Sequence, residues 1–344
     1  MRGRMRAGWA PYPLLALALA AAMLLALGVG SVRIDPTVVA EVVARRFGAG
    51  LDVSVFDDRI VWQLRMPRVL GAAATGAGLA LCGAVLQSLT RNDLAEPYLL
   101  GISGGAAVGA VSVLVLGVSV AGVGAVGVGA GAFAGALGAL VLVLGLAAGR
   151  TGALPPARVV LAGAAVGQIC AAYTSFIVIM SGDHDAARRV LNWTLGSLAG
   201  VRWTGAVTLL AIVAVAFVLI MAYTSALDAF AFGESAAGSL GVNVRATRWT
   251  LLLVTALVTA GLVSFTGAIG FVGLVVPHLV RLVCGPTHRR LLPLSALAGA
   301  FLLVVADTLA RSLVDGQEIP IGVLTAVVGA PVFAWLLRRE GRST

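Results

Sequence analysis

Apolar residues in this chain do not follow the period of a soluble helix or strand. They gather into long runs joined by short, arginine-bearing connections. A helix needs about 20 apolar residues to cross a bilayer. Leu14 to Val32, Val69 to Thr90, Val159 to Gly182, Trp203 to Leu227, Leu291 to Leu309 and Ile319 to Leu337 each meet that length. Pro97 to Gly149 runs for 53 uncharged residues, room for two spans and a turn. Trp249 to Val280, at 32 residues, is too long for one upright span and carries Gly267, Gly270, Gly273 and Pro277. It splits into two spans with a break near Thr266–Gly270. The pattern therefore predicts an all-α integral membrane protein of about ten helices, with residues 1–344 as a single transmembrane domain.

The arginines orient this domain. With the N-terminus inside, the inner segments hold 14 of the 24 arginines and the outer segments ten, a bias of the expected sign. Reading Trp249–Val280 as one span would put Arg338, Arg339 and Arg342 outside, so ten spans fit better than nine. Residues 1–32 then form a first helix with a cytoplasmic N-terminus, retained rather than cleaved as a signal peptide. Residues 33–68 form a periplasmic loop holding an amphipathic stretch, Pro36 to Phe47. Residues 224–248 form a cytoplasmic loop, long among otherwise tight connections and so a docking surface.

Composition narrows the function. Hydrophobic residues make up 60% of the chain and charged residues 11%, against about 25% charged in soluble domains. Every basic residue is arginine. A phosphate-binding loop G-x-x-x-x-G-K-[ST] requires lysine, so ATP chemistry must sit on another subunit and this chain is not itself an enzyme. The arginines are scattered rather than gathered on one face, which argues against nucleic acid. Cys82, Cys170 and Cys284 have neither disulfide nor zinc spacing. Gly105-x-x-x-Gly109, Gly127-x-x-x-Gly131 and Gly131-x-x-x-Gly135 are small-residue patterns that permit close helix approach.

Several short motifs follow one another: Arg65 to Arg68 (R-M-P-R), Gly83 to Gln87 (G-A-V-L-Q), Asn92 to Pro97 (N-D-L-A-E-P), Leu100 to Gly105 (L-G-I-S-G-G) and Asn192 to Leu198 (N-W-T-L-G-S-L). Then come Gly233 to Gly241 (G-E-S-A-A-G-S-L-G), Gly267 to Arg281 (G-A-I-G-F-V-G-L-V-V-P-H-L-V-R), His288 to Pro293 (H-R-R-L-L-P), Ala306 to Arg311 (A-D-T-L-A-R) and Glu318 to Ala326 (E-I-P-I-G-V-L-T-A). In this order the chain resembles the iron-siderophore, haem and cobalamin permeases of ABC importers, the FecCD group, from about Arg65 to Leu337. The resemblance implies a type II importer permease fold in the bacterial inner membrane. It also implies a dimer (homodimer or paralogous pair), two ATP-binding subunits below and an extracytoplasmic substrate-binding protein above. It assigns Arg65, Arg68 and Arg311 to docking of that protein, through bidentate pairing with carboxylates. It assigns Gly233, Glu234, Ala237, Leu240 and Gly241 to the ATPase-coupling helix. It places cytoplasmic constrictions near Asn92 and Leu94 and near Leu154, Pro155 and Pro156; the diproline replaces the small hydroxyl residues common there. Ferric siderophore is the first expectation for cargo, then haem, then cobalamin. The chain itself binds no metal or cofactor in this reading.

Other chemistry weighs less. Gly101 to Gly104 (G-I-S-G) resembles a serine-protease motif with His278 as a conceivable base, but Ser103 follows no strand. His184 reads as a solvated loop histidine rather than a haem ligand. An ion-coupled secondary transporter is the alternative. Such machines bury ionisable residues at midplane; here Asp307 is the one candidate, and Arg311, one turn on, reads as its partner.

Overall fold

A computed structural model of the chain describes residues 11–30, 32–117, 127–149, 152–182, 184–314 and 316–340. Arg2, Arg4, Arg6, Arg150 and Arg342, which carried part of the topology argument, lie outside them. Among the described residues every regular element is helical. In chain order they are α1 (Pro11–Gly28), α2 (Pro36–Arg46), α3 (Val55–Asp58), a π-helical stretch (Arg59–Arg65), α4 (Met66–Thr90), a 3-10 turn (Pro97–Leu100), α5 (Ile102–Leu116), α6 (Val128–Ala148), α7 (Pro156–Ser181) and α8 (His184–Thr194). There follow α9 (Trp203–Met221), α10 (Thr224–Phe230), α11 (Glu234–Ser239), α12 (Val244–Thr266), α13 (Val272–Cys284), α14 (His288–Ala310) and α15 (Ile321–Glu340). Among the described residues six apolar helical stretches are long enough to cross a membrane, and four shorter ones accompany them. These are the ten elements the apolar runs define.

The stretch 33–68 is mostly helical rather than loop. Asp35 caps α2 by accepting from the Thr37 backbone N–H at 2.9 Å and its hydroxyl at 2.6 Å, which holds the Asp35 carboxyl below the usual range. Ser54 caps α3, and Asp57 and Asp58 sit in its first turn, where the helix dipole favours negative charge. The helix then runs unbroken from Val55 to Thr90. Its charged start hid it from a reading of apolar runs.

Helix α4 is the hub and is buried on nearly all sides. Glycines let its neighbours approach: a methyl at Gly76 would overlap the Gly299 carbonyl of α14, and one at Gly83 the Gly273 carbonyl of α13. Without a hydrophobic drive inside lipid, such backbone proximity supplies packing. The α5–α6 pair works likewise through Gly105 against Gly135 and Gly109 against Gly131, whereas Gly127 faces open space. Helix α7 lies at the edge, with Leu161, Ile169, Phe176, Ile179 and Met180 exposed.

The break between α12 and α13 falls at residues 267–271, as the glycines indicate. Thirteen residues make α13 about 20 Å long at 1.5 Å rise, short of the roughly 30 Å hydrocarbon core. Non-helical backbone at that depth must be satisfied by protein. Here the Tyr98 hydroxyl donates to the Ile269 carbonyl at 3.1 Å and accepts from the Ile269 N–H at 2.9 Å. The Glu96 carboxylate accepts from the Phe271 N–H at 2.8 Å.

Helix α1 joins the two ends of the bundle. The Tyr12 hydroxyl donates to the Arg290 carbonyl at its start, and the Leu27 carbonyl accepts from Arg65 at its finish. The first end carries α10, α11 and the α13–α14 turn; the second carries Arg65, Arg68 and Arg311.

Candidate functional site

At the second end, the three arginines singled out from sequence converge on one cavity of about 340 Å³, lined also by Arg202 and Glu318. Their side chains are committed within the chain. Arg65, on the π-helical stretch, donates Nη1 to the Leu27 carbonyl at 2.7 Å and Nη2 to the Val32 carbonyl, and is 6% exposed. Arg311 donates to the Ala26 carbonyl and lies 3.7 Å from Asp307. Arg68 is shared: its Nε reaches both Asp307 oxygens at 3.0 Å, and its Nη1 reaches Glu318 at 2.9 Å. The Asp307 side chain is 2% exposed and that of Glu318 49%. Arg68 thus has one buried partner and one at the rim. Arg311 is the weaker partner of Asp307; the stronger, Arg68, lies 239 residues away in sequence.

At the first end, α10 and α11 form two short helices broken at Gly233, whose φ of +99° suits glycine. Ala237 is buried, while Phe232 and Leu240 are 77% and 67% exposed. Glu234 accepts from Arg248 of α12 at 2.7 Å. Arg248 also donates to the Leu154 carbonyl at 3.2 Å and stacks on the Phe230 ring. Trp249 beside it donates to the Gly152 carbonyl at 3.1 Å. One arginine thereby ties Glu234 of the expected coupling stretch to Leu154 of the expected constriction, a link invisible in sequence. Gly241, at φ +85°, turns the chain toward α12.

The two expected constrictions occupy different places. Asn92 caps its own turn by accepting from the Leu94 N–H at 2.9 Å, and Leu94 is exposed. Both line a cavity of about 470 Å³ with Gln87, Ser88, Arg281 and His288. Leu154 is buried against Arg248, and Pro155 caps α7 with Pro156 in its first turn.

The residues that sequence reasoning missed join three of its own motifs. From the Gly83–Gln87 and Asn92–Pro97 stretches, Gln87 donates to the Leu274 carbonyl at 3.0 Å, Asp93 pairs with Arg281, and Glu96 and neighbouring Tyr98 hold the α12–α13 break. All of these partners lie in Gly267–Arg281. The motifs were visible; that they face each other was not. His278, 8% exposed in α13, lies 3.9 Å from Asp93.

Among the described residues the structure is thus a bundle of ten apolar helices with a broken inner helix, an arginine–carboxylate cluster at one end and a pair of short helices at the other. The family model of the FecCD transport family matches residues 18–339, and the chain belongs to that family. It is 46% identical, over 83% of its length and 75% of the relative's, to the cobalamin import system permease protein BtuC of Halobacterium salinarum. It is 43% identical to the vitamin B12 import system permease protein BtuC of Vibrio cholerae, over 83% and 85% of the two chains. A solved structure described as a metal-chelate type ABC transporter in an inward-facing conformation superposes with TM-score 0.81 at 29% identity, covering 94% of this chain and 97% of that one. The fold is that of a type II ABC importer permease, and the chain is a multi-pass membrane protein.

Proposed function

We propose that this chain is the permease of an ATP-driven importer whose cargo is a cobalamin-type corrinoid. The relatives' names, at 46% and 43% identity over most of the chain, carry the choice of cargo. They move cobalamin ahead of the ferric siderophore and haem that the motifs alone ranked above it. In this reading the protein sits in the cytoplasmic (inner) membrane with both termini cytoplasmic. It pairs with a second copy or a paralogous permease through surfaces such as the exposed apolar face of α7.

An extracytoplasmic binding protein docks at the Arg65, Arg68 and Arg311 end. Glu318 stands in for its carboxylate there: half exposed, it accepts from the guanidinium Nη1 of Arg68 and can be displaced. Arg65 and Arg311 form the buried backing of that site. ATP-binding subunits seat on Gly233, Glu234, Ala237, Leu240 and Gly241, with Phe232 and Leu240 offering apolar anchors. Asn92, Leu94, Leu154, Pro155 and Pro156 form the inner gate, which the Arg248 contacts link to the coupling stretch. This chain supplies shape and coupling; the bond-breaking chemistry belongs to the ATP-binding subunits.

Competition in proteoliposomes holding the complete importer tests the cargo. Uptake of labelled cobalamin is expected to resist a hundredfold excess of ferric siderophore and of haem. Uptake of the siderophore that ignores excess cobalamin would overturn the assignment.

A further inference from the structure

Where the coupling segment meets the bundle, three side chains from three elements form a continuous hydrogen-bonded row. Asp228 of α10 accepts from both the Nδ1 of His288, at 2.6 Å, and its backbone N–H, at 2.9 Å. On the other side of the ring, His288 Nε2 lies 2.5 Å from Ser88 Oγ in the last turn of α4. His288 is the first residue of α14 and is 4% exposed. The Asp228 carboxylate holds the Nδ1 proton, which leaves Nε2 to accept from the Ser88 hydroxyl. The alternative acceptor of that hydroxyl is the Ala84 carbonyl at 2.9 Å. A cavity of about 470 Å³ lies beside the row, lined by Ser88, His288 and Ala231, so the row has room to shift.

We propose that His288 is a positioning residue through which displacement of the coupling segment is delivered to α4 and α14. The inference rests on the coupling role given above to residues 233–241, and it names the path by which that role reaches the membrane. The choice of helices gives the path its consequence. Helix α4 is the buried hub, packed through Gly76 onto α14 and through Gly83 onto α13. Helix α14 carries Asp307 near its far end, which holds Arg68. A pull on Asp228 therefore acts on two helices whose other ends meet at the arginine cluster. Apolar contact between α10 and the bundle could slide; a short hydrogen-bonded row of fixed direction, charge-assisted at Asp228, transmits displacement along its length.

A series path makes a prediction that independent packing roles do not. The assay compares wild type, Ser88→Ala, Asp228→Ala and the double variant, each assembled with its ATP-binding subunits and reconstituted with the binding protein. The readout is cargo-bound binding-protein stimulation of ATP hydrolysis. Ser88→Ala removes the neutral hydroxyl bond and Asp228→Ala the carboxylate that His288 donates to, and each is expected to cut stimulation about tenfold. The double variant should be no worse than the weaker single, because one broken link already opens the series. His288→Ala should match it. Factors that multiply in the double variant, or wild-type stimulation in Ser88→Ala, would overturn the relay. Co-purification separates the two readings. If a Leu240→Ser permease retains the ATP-binding subunits as well as wild type does, the coupling assignment fails. If the subunits stay bound in every variant while stimulation falls in series, the relay stands.

Discussion

Removing the Arg68 side chain separates structural from docking roles at the arginine cluster. In Arg68→Ala, Asp307 loses both 3.0 Å contacts while remaining 2% exposed. Stripping one partner from a buried ion pair costs about 3–5 kcal/mol. Arg311 stays 3.7 Å away and recovers part of that, so the loss falls near ~3 kcal/mol. The Glu318 contact adds little, because that carboxylate is half exposed and screened. Replacing both members, Arg68→Met with Asp307→Leu, removes the orphaned charge, and such double replacements are neutral or stabilising. Thermal unfolding of the purified permease, followed by loss of monodisperse elution, is the assay. The single variant should melt several degrees below wild type and the double variant close to it. Both should lose affinity for the binding protein, since both lack the guanidinium. An Arg68→Ala protein that melts with wild type would refute the buried pairing.

Glu318→Gln should free Arg68 and tighten binding-protein docking severalfold in a surface-binding measurement, with little change in melting. Tyr98→Phe leaves the buried N–H and carbonyl of Ile269 unpartnered and should cost roughly 2–4 kcal/mol, read in the same melting assay. Gly109→Ala puts a methyl onto the Gly131 carbonyl and should destabilise by about 1–3 kcal/mol. Gly127→Ala, facing open space, should melt like wild type. Phe232→Ser, at an exposed site, should leave melting unchanged while lowering recovery of the ATP-binding subunits in pull-down.

Much of this architecture is written in local composition. Uncharged length marks the spans, and Gly267 and Gly270 mark the broken one. The spacing of Gly105, Gly109, Gly131 and Gly135 marks a helix pair that the fold brings together, while Gly127 shows that the spacing alone is not a contact. What local composition cannot carry is pairing across the bundle. Arg65 and Arg68 read as free outer charges because their partners are carbonyls at or just past the end of α1, or acids more than 200 residues away. Tyr98 reads as an ordinary aromatic until the broken backbone at Ile269 is placed against it. Asp228, Ser88 and His288 belong to three separate segments and become a row only once α10 folds under the bundle. The helical start at Val55–Arg65 was hidden for a different reason: its capping acids and arginines are what a helix end at a membrane surface needs, and they look like loop.

The central claim is that this chain moves cargo only when ATP-binding subunits drive it. Uptake of labelled cobalamin into proteoliposomes, with ATP enclosed on the coupling side and then replaced by an imposed proton gradient, tests it most directly. Accumulation that requires ATP and its subunits, and ignores the gradient, is the expected result. Accumulation by the permease alone, abolished when the gradient is collapsed, would contradict the account.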